Sequence, residues 1–303
     1  MVAEFYIIPD SFDSNYNNAP TDIESKTKSL AEDFVYIKKY KDTNKLFVHP
    51  AVYQVAFING CSLSDLLLNP EVGKQHLDRD VYNALQKIII ESATTEHTVE
   101  EVIEVLLPGH DENLCYGLIA FNLVNGINLE FQIIYNLQGW FDFRRHYLGE
   151  YPKNANFYID ECIKYFPALY FHERNRTTVD DILGACPQKI VFHLSALNDK
   201  FRNFQQNGLN RTLVLRQFSI ANELDEIASL EGNASKKPIL TFRFTNKEDE
   251  SIDICCEPHL KLCYNDKYPG DNSYSNNRRI YFHEGVTNIQ DGRILIGHIG
   301  VHL

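Results

Sequence analysis

Four of the chain's eleven histidines fall in its last 45 residues, at His259, His283, His298 and His302, among Lys261, Arg278, Arg279 and Arg293. Imidazoles move protons near neutral pH, and guanidiniums grip phosphate through forked hydrogen bonds. With a base, an acid and a cation, those two groups can break a phosphodiester without a metal or any other cofactor. Upstream, Phe143-Arg144-Arg145-His146-Tyr147 interleaves basic and aromatic residues, so Arg144 and Arg145 are candidates for stacking on nucleotides. The same composition also suits an aromatic surface patch or a domain interface. His172-Glu173-Arg174-Asn175-Arg176 has the same ambiguity.

Other chemistries fit the spacing less well. Arg278-x4-His283 and Arg293-x4-His298 match the R-x4-H of HEPN ribonucleases, but both lie in strand-like sequence. Residues five apart on a strand face opposite sides. A zinc site would join His259-x3-Cys263 to His298-x3-His302, without the helix or knuckle that such pairs use. Asp253, Glu257 and Lys261 lack the usual spacing of a metal-dependent nuclease, and Pro258 interrupts them. Cys263 is a nucleophile only in the sense that any exposed thiol is. There is no phosphate-binding glycine loop and no GxSxG.

The elements that must hold these residues are legible in part. The spacing predicts a strand at 189–194, helices at 195–206 and 219–230, and strands at 239–245, 251–256, 279–283 and 293–301. That order describes a small α+β unit with helices against a curled, mainly antiparallel sheet. Upstream, residues 10–20 form a polar turn, and 23–40 starts as a helix and becomes extended over 34–37. Ser62-x-x-Asp65 caps a helix, and the apolar stripes at 80–93 and 98–107 are helical. Asn125-Gly126 between FNLV and INLEFQIIY signals a hairpin. Residues 156–170 are helical, and a further helix starts near Thr177 and Asp180. The expected organisation is a mixed α/β region at 1–187 followed by the α+β unit at 188–303.

Composition sets the outer bounds. Apolar residues make up 44% of the 303, a globular proportion. No apolar run approaches the ~18 residues of a membrane helix, so no membrane partner is expected. Seven cysteines without a CxxC pair and a start without a leader pattern fit a reduced, cytoplasmic protein. The net charge of −12 argues against broad electrostatic binding of nucleic acid. Residues 236–303 hold nine Lys/Arg and nine Asp/Glu, so the whole excess lies in 1–235. That acidic stretch is either a solvated surface or a protein-binding region.

The pattern H-x-K-L, R-I-x-F, I-L-I-x-x-I-G-x-H over the final third resembles the C-terminal half of toxins of the RelE/ParE superfamily, which includes mRNA interferases. The resemblance implies metal-independent cleavage of RNA, on mRNA in the ribosome. His302 would be general acid or base, Arg279 would stabilise the phosphorane, and His259 and Lys261 would contact the scissile phosphate from a loop. His298 and His283 join them as catalytic candidates, and Arg278 and Arg293 as RNA-binding ones. The expectation is a toxin-like effector restrained by its acidic region, in stress response or antiviral defence. Such toxins are small and basic, whereas this unit is neutral and follows a long acidic region. The alternatives are a non-catalytic scaffold and a metal-dependent nuclease.

Overall fold

A computed structural model describes residues 1–12, 20–121, 124, 126–127, 130–205, 210–262 and 278–303. Asn125, Cys263 and most of the expected 10–20 turn, noted above, lie outside these residues. The chain is α+β and divides into two compact units, Met1–Arg144 and Arg145–Leu303. The division falls well before the expected 187/188. Elements between residues 155 and 201 bury their apolar residues in the same cluster as the C-terminal sheet. Charge follows the division: 21 Asp/Glu against 10 Lys/Arg (net −11) in the first unit, 20 against 19 (net −1) in the second.

The first unit is built on five parallel strands: β1 (Val2–Ile7), β2 (Asn44–Val48), β3 (Ala93–Thr94), β4 (Leu114–Ile119) and β5 (Ile133–Ile134). Their order is β3-β2-β1-β4-β5. Helix α1 (Pro20–Lys39) is continuous, so the expected extension at 34–37 is not found. Ile23, Thr27, Leu30, Phe34 and Ile37 form one buried stripe at helical spacing, which outweighs local β-propensity. Ser62 caps α2 (Leu63–Leu68) through a complete capping box with Asp65. Next come α3 (Pro70–His76) and α4 (Arg79–Ile90), the latter burying Val81, Leu85, Ile88 and Ile89 as spaced. The 98–107 stripe is helical as expected, in π form over Glu101–Leu106 and running on into a 3-10 turn, Leu107–Gly109. The hairpin expected at Asn125-Gly126 falls on a stretch largely outside the described residues; the strands on either side of it, β4 and β5, pair parallel.

Such a strand order reverses between β1 and β4, and the crevice beyond the strand ends at that point is the usual ligand site of parallel sheets. Here Phe12, Phe57 and Phe121 meet there with ring centroids 4.9–5.6 Å apart. The Phe121 amide also donates to the Ser11 carbonyl.

The second unit holds a four-stranded sheet and a two-stranded one. The strands are β6 (Leu169–Phe171), β7 (Thr241–Thr245), β8 (Ser251–Cys255), β9 (His259–Lys261), β10 (Arg278–His283) and β11 (Ile294–Val301). The larger sheet runs β9-β10-β11-β6, antiparallel except that β6 lies parallel to β11. β7 and β8 form the second sheet. The helices are the end of α5 (Leu137–Glu150), α6 (Ala155–Tyr165), α7 (Asn175–Thr178), α8 (Asp180–Leu183), α9 (Pro187–Gln205) and α10 (Arg211–Ala221). The strand expected at 189–194 is the first half of α9. KIVFHL buries Ile190, Val191, His193 and Leu194, and the stripe continues through Leu197 and Phe201. The helix expected at 219–230 instead covers Arg211–Ala221, capped by Asn210.

Among the described residues no helix is long and apolar enough to cross a membrane. Ile280 and Phe282 of β10, with Leu260, Ile294, Ile296 and Ile299, turn one sheet face into a core with Ile159, Leu197, Phe201 and Phe218. Tyr281 and Leu295 belong to a smaller cluster with Phe242 and Phe244 of β7.

Candidate functional site

Strand alternation places Arg279 and Tyr281 on the face of β10 opposite Ile280 and Phe282. His259 pairs with Tyr281 and Lys261 with Arg279, so these two residues lie on a strand and not in the expected loop. On the other side Tyr281 pairs with His298, but Phe282 pairs with Ile296, leaving Gly297 as a bulge. A side chain at Gly297 would meet the Phe242 ring at 2.4 Å and Cys256 Sγ at 2.8 Å, so only glycine fits. Gly300 makes room in the same way: a Cβ there would lie 2.8 Å from the His298 ring. The IGHIG sequence therefore seats His298 beside Tyr281.

The result is a group of imidazoles around one phenol. Ring centroids lie 5.1 Å from Tyr281 for His259, 6.0 Å for His298 and 6.3 Å for His302. His259 Nε2 is 3.1 Å from Ser229 Oγ, and its Nδ1 is 3.4 Å from the Glu257 carbonyl. His298 Nε2 donates to the Val301 carbonyl at 2.8 Å. Arg279 Nη1 donates to the Arg278 carbonyl, and Lys261 pairs with Glu226 at 3.1 Å. Lys236 Nζ lies 3.3 Å from His302 Nδ1.

Burial governs the electrostatics. His259, Arg279 and His298 expose only 5%, 6% and 2% of their surface, Tyr281 none, while Lys261 and His302 are half-buried. Desolvation first, then the nearby Arg279 and Lys261, pulls His259 down to about 4. Burial and then Arg174 bring His298 to about 4. His302 is lowered by burial, then by Lys236 and Arg279. Burial raises the Tyr281 hydroxyl. At pH 7 the buried imidazoles are neutral, hydrogen-bonding groups beside fixed cations.

Not every candidate joins this group. His283 lies at the far end of β10, four residues or roughly 13 Å from Arg279. It lines a separate cavity of about 420 Å3 with Gln205, Arg211, Val214 and Glu284. Arg293 precedes the other end of β11, roughly 25–30 Å along the strand from His302. Arg278 is buried, two residues before Ile280 and on its side of the strand.

Arg144 and Arg145 are corrected outright as RNA contacts, being 0% and 2% exposed. Arg145 forks onto Asp199 at 2.7 and 3.2 Å, donates to the Tyr165 carbonyl and lies over the Phe166 ring. Arg144 donates to the Met1 carbonyl. His172, in the second basic cluster, packs against the Phe242 and Phe244 rings.

Tyr281, Ser229 and Lys236 were not anticipated. Two-residue alternation from Arg279 points to Tyr281. Ser229 and Lys236 come from irregular sequence with no such signal. Among the described residues no three metal-ligating side chains converge, and Cys263 of the zinc reading lies outside them. No family model, curated protein or solved structure matches this chain.

Proposed function

We propose that the C-terminal unit is a metal-independent endoribonuclease, a toxin-like effector acting on RNA, with mRNA on the ribosome as its expected target. The observation that carries this reading is the convergence of His259, Arg279, His298 and His302 on one sheet face around Tyr281. In the reaction the substrate's 2′-oxygen attacks its own phosphorus and loses its proton. The 5′-oxygen leaves and gains one, giving a cyclic phosphate. In this reading Arg279 and Lys261 supply cationic stabilisation of the charged phosphorane, and His302, half-buried, is the imidazole that meets substrate. The acidic first unit is the region to which a protein partner or a restraining role is assigned. A setting in stress response or antiviral defence belongs to the same proposal.

The test is cleavage of a structured RNA by the full chain in excess EDTA. The wild type should cleave, and His302→Ala and Arg279→Lys should each lose about a hundredfold or more. Unchanged cleavage by both variants, with their circular dichroism intact, rejects the reading. A second reading, a non-catalytic interaction module, is favoured by the burial of His259, Arg279 and His298, which equally describes polar packing. It expects no cleavage by the wild type at any protein concentration.

A further inference from the structure

The contact between Lys236 and His302 fixes more than a distance. Lys236 stands on a 3-10 turn, Ala234–Leu240, capped by Asn233, whose side chain accepts the Ser235 amide. From there its ammonium reaches two atoms, His302 Nδ1 at 3.3 Å and the Leu303 oxygen at 2.8 Å. An ammonium has three donors and no acceptor, so a hydrogen bond between Lys236 and the ring requires a bare lone pair on Nδ1. The ring proton then sits on Nε2. The opposite tautomer would aim Nδ1–H at a cation. Among the described residues its compensating acceptor would be the Leu303 oxygen, which would then take a second bond beside the one from Lys236.

We infer that Lys236 is a positioning residue that holds His302 as its neutral Nε2–H tautomer, so that the imidazole acts as a hydrogen-bond donor to an anionic oxygen. The catalytic meaning of this arrangement rests on the proposed ribonuclease reading, in which Nε2–H would be offered to a phosphate oxygen. The tautomer itself does not rest on that reading. A neutral imidazole held between a cation and an anionic substrate polarises that substrate without first having to gain a proton. The charged and titratable groups facing His302 are Lys236, Arg279, Tyr281 and Glu231, together with the Leu303 main chain. Glu231 and Leu303 oppose the effect of the two cations, but the balance still lowers the ring's proton affinity.

The experiment is a long-range 15N–1H spectrum of the full chain at pH 7.5, with the His302 signals assigned by their loss in His302→Gln. The wild type should show Nδ1 unprotonated and Nε2 protonated, with the Nε2–H form dominant by about tenfold. In Lys236→Met the two nitrogens should move towards averaged shifts and His302 should titrate at higher pH. Lys236→Arg should restore the wild-type pattern. The His259 and His298 signals, which do not depend on Lys236, report whether the fold survives. A protonated Nδ1 in the wild type, or an unchanged His302 in Lys236→Met, overturns the inference. If the wild type cleaves RNA, Lys236→Met should also displace the acid limb of its pH profile. If it does not cleave, the ribonuclease reading falls, and the spectrum still decides the tautomer.

Discussion

The two units bury different kinds of titratable group. In Met1–Arg144, which carries the net charge of −11, the buried carboxyl of Asp33 on α1 has no hydrogen-bond partner for either oxygen among the described residues. Burial, with Glu32 adding to it, raises that carboxyl to about 8. Past the strand ends where a parallel sheet of this order usually takes a ligand, Phe12, Phe57 and Phe121 pack against one another. In Arg145–Leu303 the buried titratable groups include the imidazoles of His259 and His298 and the guanidinium of Arg279 on one sheet face, each with at least one hydrogen bond, although among the described residues His298 Nδ1 has no partner. A parallel sheet confines exposed chemistry to its ends, because helices cover its faces. In the larger sheet of the second unit strand alternation turns one face into the core and gathers the polar side chains of β9 and β10 on the other.

Adjacent residues mark the change. Arg144 is fixed to the Met1 carbonyl, Arg145 to Asp199 and the Tyr165 carbonyl. Each belongs to the core of its own unit. The sharpest way to break this comparison is therefore Arg145→Met, which leaves Asp199 without its buried partner. Removing one member of a fully buried pair costs about 3–5 kcal/mol, and less is expected here because Asp199 is partly exposed and keeps its bond from Asn198. Urea unfolding followed by hydrogen exchange at β10 and β11 amides should show that loss, and an unchanged midpoint would deny the pair its role.

Acidity should separate the units next. His259 and His298, at about 4 when folded, bind protons more readily in the unfolded chain. Their contribution is present above pH ~6.5 and is lost as pH falls towards 4, by roughly 2–3 kcal/mol for each. Asp33, raised when folded, works the other way: its contribution is present below pH ~4 and is lost as pH rises through 8. Trp140, the chain's only tryptophan, is buried in the first unit, so its fluorescence reports that unit alone. Amide exchange in β10 reports the other. Parallel responses of the two probes to pH would remove the distinction.

Smaller changes refine it. Gly297→Ala should cost about 1–3 kcal/mol in the second unit, since its Cβ has no room against Phe242 and Cys256. The readout is the urea midpoint of β10 exchange. Asp33→Asn should flatten the alkaline loss seen by Trp140 fluorescence and stabilise the first unit by about 1–2 kcal/mol at pH 9. Ser62→Ala, which removes the capping box of α2, should cost about 1 kcal/mol by the same probe.

Much of the second unit could be read from the sequence because its strands announce themselves. RRIYFH and ILIGHIGV are short, β-branched and aromatic, and both form strands within a residue of the expected bounds. KIVFHL has the same local character and becomes helix, because its apolar positions continue at helical spacing to Phe201. The parallel order of the first unit was not legible, since β3 and β5 are two residues each and no periodicity survives at that length.

The order of residues alone dictated that Arg279 and His298 would stand on extended chain, because side-chain alternation is a local property of the backbone. It also set where the negative charge lies. Which of the candidate residues meet depended on strand register and on the single-residue bulge at Gly297, which are fixed by pairing between segments far apart in sequence. That same pairing buried His259 and His298, sent His283 and Arg293 to the opposite end of the sheet, and brought Lys236 to His302. Only long-range packing could decide those matters, because burial and register are properties of the assembled sheet.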